Sequence, residues 1–135
     1  MLRILVIDDE PDVLDGIKRV LDRAGFSVRV VDNATDAMLE LKRLAADVVI
    51  TDIIMPKVNG VDAIERILRE FPMVRIVAIS GGGNFDVNGY QPAAITTTVY
   101  LAAAKRAGAH CILTKPFESR ELIEAVNEVM GAVGA

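Results

Sequence analysis

Five polar side chains stand where apolar runs end, and their types suit phosphoryl chemistry. Asp8 and Asp9 follow the run from Leu2 to Ile7, and Asp52 follows Val48–Thr51; Ser80 follows Val74–Ile79, and Lys115 comes just after Ala109–Leu113. Carboxylates brought close together repel, more so in a partly desolvated cleft, and such a cluster persists most readily around a cation. Oxygen-only ligands select a hard ion, and an open site that keeps water positions favours Mg²⁺. A carboxylate can attack phosphorus and form an aspartyl phosphate. A metal ion and an ammonium meanwhile neutralise the charge spread over the equatorial oxygens. Taken singly, each residue has a plainer role: Asp8 or Asp9 as a helix cap, Asp52 in a turn, Ser80 in a loop before Gly81-Gly82-Gly83, Lys115 as a solvated lysine. Their joint occurrence, each at a strand end and in this order, is what points to chemistry.

The elements that must position them can be read from periodicity. Leu2–Ile7, Phe26–Val31, Val48–Thr51, Val74–Ile79 and Ala109–Leu113 are short apolar runs that predict strands. Helices are expected between them. Asp12–Ala24 places Val13, Leu14, Ile17, Val20 and Leu21 at helical spacing, with Gly25 as the stop. Asn33 caps a second helix to about Leu44, with Ala37, Met38 and Leu41 inward. Val61–Glu70 forms a third, ended before Pro72, and Glu118–Met130 the last. Met55–Gly60 reads as a loop, with Pro56 and the pair Asn59-Gly60. The stretch 81–107 breaks the alternation: turn formers come first, then Pro92 opens a helix over about Ala93–Arg106, weakened by the β-branched run 95–99.

Alternating strands and helices imply an α/β fold, a doubly wound five-stranded parallel sheet of flavodoxin-like order 2-1-3-4-5. In that order the first and third strands are neighbours, so Asp8, Asp9 and Asp52 crowd at one edge, where open parallel sheets bind ligands. Lys115 would add a positive charge at the same edge.

Composition narrows the rest. A net charge of -4, with basic residues scattered, argues against a nucleic-acid surface and hence against DNA as a partner. The single cysteine, Cys111, excludes an intrachain disulfide and is expected to be a buried, inert thiol. The only histidine, His110, lies beside a strand without a helical phosphotransfer context. No apolar run is long enough for membrane insertion, and the N-terminus lacks a signal-peptide pattern, so a cytoplasmic protein is expected.

The sequence resembles the response-regulator receiver (CheY-like) family from Ile4 to about Met130. Val6-Ile7-Asp8-Asp9-Glu10 is similar to its first-strand acidic pair. Ile50-Thr51-Asp52-Ile53-Ile54-Met55-Pro56, with Gly60, is similar to its phospho-acceptor segment. Ala78-Ile79-Ser80-Gly81 and Leu113-Thr114-Lys115-Pro116-Phe117 are similar to its switch and final segments. The resemblance implies that Asp52 accepts a phosphoryl group from a phosphohistidine on a sensor histidine kinase or histidine phosphotransfer protein. Asp9, Asp52 and the backbone carbonyl of Ile54 would bind Mg²⁺ directly, with Asp8 acting mostly through water. Ser80 and Lys115 would contact the phosphoryl oxygens, and Lys115-Pro116 would be cis. Phosphorylation would favour one of two conformations of the fourth and fifth strand–helix units, which would form the partner surface. The expected domain is a receiver over 1–135 with no output domain, switching an interaction with a downstream protein. It would not be an enzyme beyond its own phosphorylation and slow dephosphorylation.

Three departures from the family pattern stand out. The aromatic switch position three before the lysine is Ile112. Ser80 and Lys115 lie 35 positions apart, about a dozen more than the family norm, with the extra residues expected near Gly81–Gln91, a loop length usually functional or mobile. Ile54 and Gly82, the positions that guide water to the phosphate, cannot orient one by hydrogen bonding, so autodephosphorylation is expected not to be fast. Two other readings compete: a receiver-like interaction module that no longer uses phosphorylation, and a Mg²⁺-dependent phosphatase of the haloacid dehalogenase type. The latter wants a second Asp two positions after its nucleophile in the first strand loop, which Asp8-Asp9-Glu10-Pro11 does not provide.

Overall fold

Strands with apolar residues on both faces must be covered on both faces, and that is how these strands lie. A computed structural model describes residues 2–55, 58–81 and 102–134. Its main sheet is built from β1 (Arg3–Ile7), β2 (Ser27–Val31), β3 (Val48–Asp52), β6 (Arg75–Gly81) and β7 (Cys111–Lys115), all parallel in the order β2-β1-β3-β6-β7. This is the expected 2-1-3-4-5 order. The two strands numbered between are a short antiparallel pair, β4 (Ile54–Met55) with β5 (Val58–Asn59), where a plain loop was expected.

Helices α1 (Pro11–Arg23) and α5 (Ser119–Gly134) cover one face; α2 (Ala34–Arg43), α3 (Gly60–Glu70) and the helical residues 102–107 (α4) cover the other. Strand alternation divides the core accordingly. Ile4, Val6, Val48, Ile50, Val77 and Ile79 pack with Leu14, Ile17, Leu21, Leu122 and Val126. Leu5, Ile7, Val49, Ile76 and Ala78 pack with Ala37, Leu41, Ile64, Ile67 and Ala104. Each fully buried Leu or Ile contributes about 1.5–3 kcal/mol relative to exposure, so this two-layer core carries most of the stability.

Local signals act as the sequence predicts. Pro11 sits in the first turn of α1, and Gly25 follows its C-cap with φ 97°, a left-handed conformation that suits glycine. The Asn33 side chain caps α2 by accepting from the Asp36 N–H at 2.7 Å. Several limits shift. β6 runs on to Gly81 and β7 to Lys115, because their ladder pairs Ser80 with Thr114 and Gly81 with Lys115 beyond the apolar runs. Ser80 and Lys115 are therefore strand residues. α5 extends beyond Met130. The loop expected near Gly81–Gln91, Pro92, and most of the helix expected over Ala93–Arg106 lie outside the described residues, apart from Gly81 in β6 and the helical residues 102–107.

Gly60 is the tightest approach. A Cβ there would fall on the Ile53 backbone, Cα included. Gly60→Ala gains at most about 1 kcal/mol of helix propensity, whereas forcing backbone apart in a packed core costs about 3 kcal/mol. The substitution is expected to lower unfolding free energy by about 2 kcal/mol in urea titrations; an unchanged midpoint would disprove the contact.

At the opposite end of the sheet from the acidic residues, His110 is committed to structure. Its N–H donates to the Ile76 carbonyl at 2.8 Å, and its Nδ1 accepts from the Ile76 N–H at 3.0 Å. Nε2 lies 3.1 Å from Arg75 Nη1. Burial, then the charges of Arg75 and Lys105, push its pKa below the ordinary 6.5. Protonation therefore favours the unfolded chain. This contribution to stability is complete above the unfolded pKa and is lost as pH falls through it. Melting curves from about pH 7 to about pH 5 should fall more steeply for the unmodified chain than for His110→Gln. Cys111 is partly exposed rather than fully buried as expected; burial and a hydrogen bond with Glu128 raise its pKa, which keeps it a thiol.

Candidate functional site

The carboxyl ends of β1, β3, β6 and β7 meet at one edge of the sheet, and the strand register decides which side chains converge there. Asp8 follows β1 directly and is held by its N–H to the Val31 carbonyl at 3.2 Å. Asp52 ends β3 opposite Ile79. Alternation places Asp8, Asp52 and Lys115 on the α1/α5 side of the sheet, in step with Val6, Ile50 and Leu113. Ser80 is in step with Ile76 and Ala78 on the other side.

Lys115 Nζ lies 3.4 Å from Asp8 Oδ2, 3.4 Å from Asp52 Oδ2 and 3.7 Å from Glu10 Oε1. Asp8 also accepts from the Glu10 N–H at 2.9 Å. One carboxylate oxygen from each of Asp8, Asp9, Glu10 and Asp52 lies within 4.8 Å of the others. The expected acidic trio and lysine are thus brought together. Asp8 and Asp9 do not cap α1; the N-cap residue is Glu10, and it makes no side-chain cap hydrogen bond.

The electrostatics follow from burial. Asp8 is buried, which raises its pKa; the Glu10 N–H and Lys115 oppose this without cancelling it, and Asp9 adds to it. For Lys115 burial acts downward, but the charges of Asp52, Asp8 and Glu10 outweigh it and hold the ammonium above its usual 10.5. Lys115 is therefore a permanent cation.

Ser80 is fully buried and its Oγ has no hydrogen-bond partner among the described residues. An orphaned buried hydroxyl is costly and needs a reason. An acceptor oxygen delivered by a ligand would satisfy it. At the same end of the sheet, the clustered carboxylates of Asp8, Asp9 and Asp52 are an oxygen-only set that fits a hard divalent cation such as Mg²⁺. Ile54, whose backbone carbonyl is a candidate ligand, pairs with Asn59 in the short hairpin just after Asp52. The Lys115-Pro116 bond is cis. Ile112 packs against the α2/α3 side of the core, on the same side as Ser80. Gly82 lies outside the described residues.

Sequence reasoning missed Glu10 as a member of the site. A signal existed: a third acid follows Asp8-Asp9 and precedes Pro11 at a helix start, where glutamate is a weak cap and its side chain is left for other work. A cation bound by carboxylates beside an ammonium and a hydroxyl can stabilise a transferring phosphoryl group, with one carboxylate as nucleophile.

The family model of the response regulator receiver domain matches residues 4–127. The chemotaxis protein CheY of Thermotoga maritima is 31% identical over 94% of this chain and 96% of its own length. The DNA-binding response regulator MtrA of Mycolicibacterium smegmatis is 32% identical over 92% of this chain, which spans 48% of MtrA. The crystal structure of a response regulator receiver domain protein from Clostridium thermocellum superposes with a TM-score of 0.80 at 29% identity, covering 99% of this chain and 98% of that one.

Proposed function

This chain belongs to the response regulator receiver domain family of two-component phosphorelays, and from that premise we propose that Asp52 is its phospho-acceptor. The donor is the phosphohistidine of a sensor histidine kinase or a histidine phosphotransfer protein. An Asp52 carboxylate oxygen forms the new bond to phosphorus while the nitrogen–phosphorus bond of the donor breaks and its imidazole takes up a proton. Asp9, Asp52 and the Ile54 carbonyl would hold Mg²⁺ directly, and Asp8 through water. Bound there, the ion would neutralise charge on the phosphoryl oxygens. Lys115 pairs with one of those oxygens, and the Ser80 hydroxyl donates to another.

The observation that carries this reading is the Lys115 ammonium at 3.4 Å from both Asp8 and Asp52, at the same end of the sheet as a buried hydroxyl with no partner among the described residues. A Mg²⁺-dependent phosphatase reading has no comparable support, since the family is that of a switch. The chain changes only its own phosphorylation state, and with Ile54 and Gly82 at the water-guiding positions it loses the group slowly. Its readout is binding to a downstream protein. The MtrA relative is by name DNA-binding, and in this chain DNA contact is not part of the proposed role. Among the described residues no helix is long and apolar enough to cross a membrane, in keeping with a cytoplasmic partner set. Incubation with acetyl phosphate and Mg²⁺, followed by peptide mass spectrometry, should find a single phosphoryl adduct on Asp52. An unlabelled chain would favour a phosphorylation-independent interaction module.

A further inference from the structure

Glu10 has a carboxylate that the local fold does not need. It is the N-cap residue of α1, yet only its backbone serves the helix start: its N–H donates to Asp8 Oδ1 at 2.9 Å and its carbonyl accepts from the Leu14 N–H at 3.1 Å. The side chain turns instead to Lys115, 3.7 Å away, a longer contact than the 3.4 Å contacts of Asp8 and Asp52. Exposure separates it from them. The Glu10 side chain is 47% exposed, against 1% for Asp8 and 6% for Asp52. Glu10 therefore forms the solvent-exposed rim of a site whose acceptor carboxylate is buried.

A small phosphodonor entering from solvent carries negative charge past that carboxylate. Its phosphoryl oxygens must also draw Lys115 away from it. Both effects slow transfer, and both grow with the charge on the donor. We propose that Glu10 is a specificity-determining residue, a charge filter that slows phosphorylation of Asp52 by free anionic phosphodonors in proportion to their charge. The inference rests on the phospho-acceptor reading above. With acetyl phosphate the Asp52 oxygen forms a bond to phosphorus, the acyl oxygen–phosphorus bond breaks, and acetate leaves with the electron pair.

Glu10→Gln removes the charge while keeping the shape and both backbone bonds. On the full chain at saturating Mg²⁺ and low ionic strength, it should raise the acetyl phosphate rate about three- to tenfold. The gain should be smaller with the less charged phosphoramidate. It should shrink toward none near 1 M salt, where the Debye length is about 3 Å. Glu10→Asp keeps the charge on a shorter side chain and should raise the rate less than Glu10→Gln does; an equal rise would overturn charge as the cause. In calorimetry Glu10→Gln should weaken Mg²⁺ binding by less than about fivefold. A rate that does not rise, or a gain equal for both donors, overturns the filter. So does a loss of Mg²⁺ affinity beyond about tenfold, which would make Glu10 part of the metal shell. Labelling of the unmodified chain reports separately on Asp52 as acceptor; its absence overturns both proposals.

Discussion

Replacing Lys115 with methionine should lower the unfolding free energy of the metal-free protein by about 3–5 kcal/mol, and Mg²⁺ should restore most of it. The ammonium lies within 3.7 Å of three carboxylates, two of them nearly inaccessible to water. Methionine fills similar space, so packing is preserved while the compensating charge disappears. Breaking a buried ion pair from one side leaves the other charge stranded, which costs more than the pair itself contributes. Asp8 limits the damage. Its pKa is already raised by burial, and losing Lys115 removes an opposing influence, so it can take up a proton. The sign is fixed: a group whose folded pKa lies above its unfolded value favours folding as pH falls through the folded pKa. The variant should therefore recover toward the unmodified chain on acidification. Thermal melts in chelator, in Mg²⁺ and across acid pH test this. A variant as stable as the unmodified chain in chelator would mean the acids are not strained.

Asp52→Asn should reduce phosphoryl incorporation from acetyl phosphate by about a thousandfold or more, since an amide cannot serve as the nucleophile. The replacement is nearly isosteric at a residue 5% exposed at the end of a fully buried strand, so the fold should persist. Labelling and melting together separate chemistry from folding. The same variant loses one anionic oxygen of the acidic cluster, so Mg²⁺ should raise its melting temperature less than it does for the unmodified chain. Undiminished labelling would place the acceptor elsewhere, and peptide mapping would find it.

The legibility of this chain has a physical basis. Ile4–Ile7 and Val48–Ile50 are apolar without interruption because parallel strands are covered on both faces. The same burial makes the polar residues at their ends conspicuous, and Asp8, Asp52, Ser80 and Lys115 could be picked out for that reason. Glu10 carries a weaker signal, a third acid before Pro11, and its partner is hidden because the contact with Lys115 spans the chain and depends on how the loop after β1 turns. The hydrogen bond from the Ile76 N–H to the His110 ring is set by the register of β6 against β7, which no local pattern encodes. The hairpin of β4 with β5 escaped because two residues per strand are too few for a period to show.

The sheet's alternation sets Asp52 and Lys115 on one side and Ser80, with Ile112, on the other. A phosphoryl group held by both Lys115 and Ser80, as proposed above, would therefore be a staple through the sheet rather than a patch on one surface. Drawing Ser80 toward such a group would load the side of the sheet covered by α2, α3 and α4, where Ile112 also packs. Thermodynamic reciprocity then binds the two ends of the device. Any protein that clasps that side more tightly after phosphorylation must, by the same factor, make the phosphorylated form easier to reach.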